Sequence, residues 1–195
     1  TAVGYEAGAA MTTGVFNTII GDIAGDALTT GAANVAIGYQ ALSLEDTHGH
    51  NVAIGFQSLA NQNAGANAYN VAIGSNAGLS VTTGVENTLI GGLAGDALTT
   101  GTYNVAIGYA ALSTEDGHGK NVAIGYRSLT SQDAGSNAYN VAIGFDSGRL
   151  ISTGGQNTII GGLAGDALTS GDNNTALGYS TLGAETLGDR NVAIG

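Results

Sequence analysis

The sequence has no cysteine, proline or tryptophan, and only four basic residues stand against fifteen acidic ones. Without cysteine there are no disulfide staples and no thiolate metal sites, while the redox compartment stays open. A formal charge of −11 argues against a nucleic-acid backbone or an anionic membrane surface as the main partner, since either calls for a basic face. No run of about 18 apolar residues is present to span a bilayer, and no basic-then-apolar leader opens the chain, so any export signal would lie outside it. Helical stripes are missing as well. Glycine every few residues would cost a helix about 1 kcal/mol each relative to alanine.

What the sequence has instead is a period. Asn34-Val-Ala-Ile-Gly38 or a close variant opens at Asn17, Asn34, Asn51, Asn70, Asn87, Asn104, Asn121, Asn140, Asn157, Asn174 and Asn191, and Thr1 to Gly4 is a further copy without its Asn. The copies follow in 17-residue rungs, except that every fourth, such as Asn51 to Asn70, is a 19-residue one. The full cycle is therefore a superrepeat of four rungs, running from Asn17 to Asn87 and again from Asn87 to Asn157. A unit as short as one rung cannot close a core alone and must be stabilised by its neighbours. The 34 glycines recur in register with Val, Ile and Leu, which argues against the disorder that such a content suggests when it lacks period. Residues 1–195 therefore read as one array of about 12 rungs.

Within a rung, Val35, Ile37 and Tyr39 alternate with Ala36, Gly38 and Gln40, the two-residue period of a strand. The bulky face, with Tyr39, Phe56, Tyr109, Tyr126, Phe145 and Tyr179, is expected to be core. The Ala/Gly face is expected to be small enough for another chain to approach closely. A second short strand is expected at Gln40 to Ser43, and turns at Thr29-Thr-Gly31 and its copies. Stacked at about 4.8 Å per rung, the array makes a parallel β-solenoid on the order of 55 Å long. Leu42, Leu59, Leu112, Leu129 and Leu182 stand where other rungs have Gly8, Gly25, Gly78, Gly95, Gly148 and Gly165. The missing bulk returns three positions later as Met11, Leu28, Val81, Leu98, Ile151 and Leu168, which conserves core volume. The Asn column is structural, because stacked Asn side chains can hydrogen-bond along a ladder.

These residues resemble the head repeats of YadA-like trimeric autotransporter adhesins, with their recurring Val-Ala-Ile-Gly core. They are equally similar to the Asn-Thr-Ala-Val-Gly-Tyr-Gln-Ala-Leu arrays of phage tail fibres; compare Thr1-Ala-Val-Gly-Tyr-Glu-Ala7 and Asn34-Val-Ala-Ile-Gly-Tyr-Gln-Ala-Leu42. The match covers essentially the whole chain. It implies a left-handed β-roll, a homotrimer around a fibre axis, and attachment to host surface molecules. The adhesin coil is usually shorter than the rungs found here and the long rung has no counterpart there, so loops are expected to project at Ala60 to Tyr69 and Thr130 to Tyr139. No adhesin binding residue carries over.

Chemistry-bearing residues are few. His48-Gly-His50, taken from three chains, could surround one transition metal. The equivalent places read His118-Gly-Lys120 and Gly188-Asp-Arg190, so the histidines are read as solvated, with no metal or other cofactor assigned. Asp22, Asp26, Glu45 and Asp46 follow no calcium motif and are read as charged turns. Gly91-Gly-Leu-Ala-Gly95 lacks the Lys and the helix of a phosphate loop. No Ser/His/Asp arrangement recurs, so no enzyme is expected. Tyr69, Tyr103 and Tyr139, at rung ends, are the candidate receptor contacts.

The expected function is that of a structural and adhesive fibre segment in a phage tail fibre or on a bacterial surface, hence extracellular. Its partners would be two further copies, other fibre domains, and a cell-surface glycan or protein receptor, without nucleic acid or membrane insertion. The chain begins and ends inside a repeat with no polar cap, as a segment of a longer fibre would. The alternatives are a monomeric repetitive-surface solenoid of ice-binding or surface-layer type, with Thr29, Thr99 and Thr169 as its array, and the non-catalytic stalk of a glycan-degrading tailspike.

Overall fold

The structure is a computed structural model describing residues 1–195. Its twelve strands, from β1 (Ala2–Val3) to β12 (Val192–Ile194), are all parallel and form one sheet whose order follows the chain; there is no helix. The chain is an all-β solenoid in which every turn adds one strand. Like positions pair: Val35 lies opposite Val52 and Ala36 opposite Ala53, and then Val52 lies opposite Val71. One sheet, repeated, is the whole architecture.

The two faces are the reverse of the expected ones. In β3 (Val35–Ile37) Ala36 is fully buried while Val35 and Ile37 are partly exposed, and β4 (Val52–Ile54) repeats the pattern. The aromatic positions point outward too: Tyr39, Phe56, Tyr109, Tyr126, Phe145 and Tyr179 are all exposed. The reason is volume. The inward position holds Ala36 beside Ala41 and Leu42, and holds Ile19, Leu89 or Ile159 in the rungs where Gly25, Gly95 or Gly165 leaves room; with the core filled this way, the flanking Val and Ile residues are left outside.

The core volume is shared between rungs as the Gly/Leu exchange requires. Leu28, Leu42, Leu59, Val81 and Leu98 are fully buried in one continuous cluster. At Gly78 an added Cβ would lie 2.7 Å from Leu89 Cδ1 and 2.9 Å from Leu59 Cδ2, so that space is filled by the rungs on both sides. At Gly25 and Gly95 the same space is filled from within the rung, by Leu28 and Leu98 three positions on and by Ile19 and Leu89 of the strand.

Gln40 to Ser43 is not a second strand. Gln40 and Leu42 lie in the left-handed region, with φ of 53° and 54°, and the segment turns. This geometry aims their N–H groups along the stack in opposite directions. Gln40 N–H donates to Asp22 O at 3.2 Å, one rung back, and Leu42 N–H donates to Ser58 O at 3.0 Å, one rung on. Of 111 backbone hydrogen bonds, 90 lie outside regular strand pairing, so the turns are stitched together as the strands are. Left-handed backbone costs a side-chain-bearing residue about 1–2 kcal/mol. Leaving a buried N–H unpaired costs about 1–3 kcal/mol, so pairing offsets the strain.

The motif glycine has a different reason. Gly21 has φ of 130°, outside the reach of ordinary residues, and a Cβ there would lie 2.6 Å from Gly38 O of the next rung. Only Gly lets consecutive turns approach this closely.

Candidate functional site

The Asn column sits against the core, buried from Asn17 to Asn174, with Asn191 partly exposed. Its bonding is mainly from side chain to backbone. Asn17 Oδ1 accepts the N–H of Asn34 at 2.8 Å, and Asn17 Nδ2 donates to Gly31 O at 2.7 Å in the tail of its own coil. Each side chain thus closes one coil and fastens the next. Direct Asn-to-Asn side-chain bonds occur at a few steps, such as Asn87 Nδ2 to Asn70 Oδ1 at 3.2 Å. Asn51 and Asn121, which open the long rungs, keep the Oδ1 bond but have no partner for Nδ2. The longer tail of these rungs takes the usual carbonyl out of reach. Gln62 and Gln132 occupy the gap, each accepting from the following Asn, at 2.7 Å from Asn70 and 2.6 Å from Asn140.

Tyr69, Tyr103 and Tyr139 are each about half exposed, at 53%, 51% and 50%, and form one column just ahead of the Asn column. All three have positive φ, and Tyr103 N–H donates to Val85 O in the preceding rung at 3.2 Å. His50 stacks on Tyr69 with ring centroids 4.9 Å apart, and Lys120 Nζ lies 5.1 Å from the Tyr139 centroid. The structure therefore separates the two histidines of His48-Gly-His50: His50 joins the tyrosine column, and His48 turns to Glu45. A second aromatic column runs along the outer sheet face, where Tyr109, Tyr126 and Phe145 stack at 5.6 and 5.2 Å.

The loops at Ala60 to Tyr69 and Thr130 to Tyr139 fold back onto the stack rather than standing free. Gln62, Ala64 and Ala68 are buried, and Asn67 Oδ1 accepts the N–H of Gly49 at 3.0 Å. Only the tip, Gly65 to Asn67, is exposed as a run, with Gly135 to Asn137 matching it.

Beneath these loops lies a feature that the charged-turn reading missed. Glu45 and Glu115 are fully buried. They stand one full rung after Leu28 and Leu98, in the column that carries core side chains elsewhere. That position in the repeat was the available signal. Glu45 Oε1 accepts the N–H of His48 at 3.1 Å, and Glu115 Oε1 accepts that of His118 at 3.1 Å. Burial pushes both carboxyls above their ordinary value, against the lowering effect of these N–H donors. In each the second oxygen, Oε2, has no partner. Asp46 and His48 gather around Glu45, and Asp116, His118 and Asp133 around Glu115, with ligand atoms within 4.8 Å of one another.

The chain matches no protein-family model, no curated protein and no solved structure.

The third copy differs. Glu185 is only partly buried, and its Oε1 accepts N–H bonds from Thr186, Leu187 and Gly188. The Gly188 and Leu187 donors hold its carboxyl below the ordinary value. No histidine follows it, so only the first two copies assemble a ligand cluster. The Thr column is committed to the scaffold: Thr29, Thr99 and Thr169 hydroxyls donate to Asp46 O, Asp116 O and Thr186 O at 3.0, 2.8 and 2.8 Å.

Proposed function

We propose that this chain is a structural and adhesive fibre segment that works as a homotrimer, in a phage tail fibre or on a bacterial surface. The observation that supports it best is the outward Ile ladder, accompanied by Val except where Thr18, Thr88, Thr158 and Thr175 take that place. It runs the length of the sheet, flanked by stacked aromatics, and leaves Ile20, Ile37, Ile54, Ile73 and their successors partly in water. Covering each Ile would contribute about 0.5–1 kcal/mol. Summed over the rungs this gives on the order of 5–10 kcal/mol per chain, comparable with the association cost of about 4–15 kcal/mol. The interface therefore lies on the Val/Ile face, not on the Ala/Gly face. The resemblance to YadA-like heads and tail-fibre arrays supports three chains and a left-handed coil. Tyr69, Tyr103 and Tyr139, exposed in one column two residues ahead of Val71, Val105 and Val141, are the surface offered to a glycan or protein receptor.

Light scattering on the purified chain over a range of concentrations tests the assembly. The expected mass is close to three times 19.1 kDa, falling to 19.1 kDa when Ile107→Glu charges the ladder. A wild-type monomer at every concentration would overturn the trimer. The monomeric ice-binding reading is disfavoured because the Thr hydroxyls it needs are already engaged in rung pairing.

A further inference from the structure

Glu115, Asp116, His118 and Asp133 bring three carboxylates and one imidazole together around a fully buried Glu115. Two buried atoms of the cluster are left over. Glu115 Oε2 has no partner, and His118 Nδ1, though 3.4 Å from Glu115 Oε1, makes no hydrogen bond either. A desolvated carboxylate oxygen and an imidazole lone pair that face no donor are both satisfied by a cation. We propose that these four residues bind a divalent transition cation of the Mn²⁺ to Zn²⁺ series.

The donor set selects the class. Imidazole nitrogen suits these cations better than Ca²⁺ or Mg²⁺, whose sites are built from oxygen. Tetrahedral bonds of about 2.1 Å put ligands about 3.4 Å apart, so a cluster spread over 4.8 Å closes by small rotations. Asp116 and Asp133 are exposed and free to make them, while Glu115 is fixed in the core. The first copy lacks two of these features. Thr47 Oγ1 lies 3.1 Å from His48 Nδ1 and 3.0 Å from Asp46 Oδ1, so it occupies both side chains, whereas Gly117 in the second copy leaves them free. Asn63 replaces Asp133 and removes one carboxylate. The site lies within one chain and does not depend on the fibre reading.

Calorimetric titration of the chelator-treated 195-residue chain with Zn²⁺ and with Mn²⁺, beside Ca²⁺ and Mg²⁺, tests this. One transition ion per chain is expected. Asp133→Asn and His118→Gln should each weaken binding at least tenfold, and His48→Gln should change nothing. Introducing Thr47→Gly with Asn63→Asp should raise the count to two. Circular dichroism checks each fold; should His118→Gln unfold, Asp133→Asn, altered on the surface, decides alone. No binding of Zn²⁺ or Mn²⁺, binding unchanged by Asp133→Asn, or Ca²⁺ bound as tightly as Zn²⁺ would overturn the site.

Discussion

The Glu45 and Glu115 regions are the same piece of scaffold built twice, one superrepeat apart, and they differ where it matters for chemistry. Both bury a Glu under a long rung, both bond it to the N–H of the His three residues on, and both seat a Gln above it. Thr47 against Gly117 and Asn63 against Asp133 then decide whether the histidine is occupied by a hydroxyl and how many carboxylates face it. His50 against Lys120 changes what lies on the neighbouring tyrosine, an imidazole in one copy and an ammonium in the other. A repeat scaffold with a self-sufficient backbone ladder lets such surface residues vary without moving the frame.

The largest effect should come from setting a long rung against the short rung that follows it. Asn70 makes bonds through both side-chain ends, to Asn87 N, Gln62 Oε1 and Gly84 O, whereas Asn51 has only its Oδ1 bond to Asn70 N. Asn70→Ala should cost about 3 kcal/mol and Asn51→Ala about 1 kcal/mol in urea unfolding. Equal costs would mean that the Nδ2 bonds contribute nothing.

A smaller contrast lies at the loop tips. Gly135 has φ of 65°, while Gly65 is outside the left-handed region, and neither position has an atom near an added Cβ. Gly135→Ala should lose about 1 kcal/mol and Gly65→Ala should be neutral or gain about 0.5 kcal/mol. Thermal unfolding of the pair shows whether the two loops share a conformation.

The smallest concerns pH and separates the fully buried copies from the partly exposed one. The folded Glu45 carboxyl sits above its ordinary value, so its contribution to stability is greatest at low pH and is lost as pH rises through that raised value. For Glu185 the sign reverses: its contribution holds above the ordinary Glu range and is lost as pH falls through its lowered value. Glu45→Gln should raise Tm at pH 7 by about 2 °C and have no effect at pH 3. Carbon-detected NMR titration of the two side chains should find them on opposite sides of 4.5, the ordinary value.

Much of this frame was legible in the residues. The period located every strand, and the Gly/Leu exchange foretold which positions trade volume in the core. Alternation at Val35, Ala36 and Ile37 defined two faces but carried no information on which one is inside, because that depends on the width of the coil. The usual expectation that bulky residues go inward fails where a coil encloses only one or two large side chains, Leu42 in one rung and Ile19 with Leu28 in another. Gln40 to Ser43 looked extended because left-handed φ at Gln and Leu has no sequence signature; the cross-rung hydrogen bonds impose it. Glu45 reads as part of a charged turn because Asp46 stands beside it and the pair follows no calcium motif. Its alignment with Leu28 pointed inward, and the covering loop that keeps it dry comes from the next rung.

Because each strand pairs only with its sequence neighbours, a tensile load applied at the two ends acts on one outer coil at a time. The molecule would peel rather than shear, each 17-residue coil releasing roughly 55–60 Å of chain before the next is loaded. The long coils, with an unpaired Asn Nδ2 at their heads, are the weak links in that sequence, and they lie just where the buried Glu residues sit. An ion held between Glu115 and Asp133 would clip one of them shut, turning a solenoid of nearly uniform coils into one with a reinforced joint.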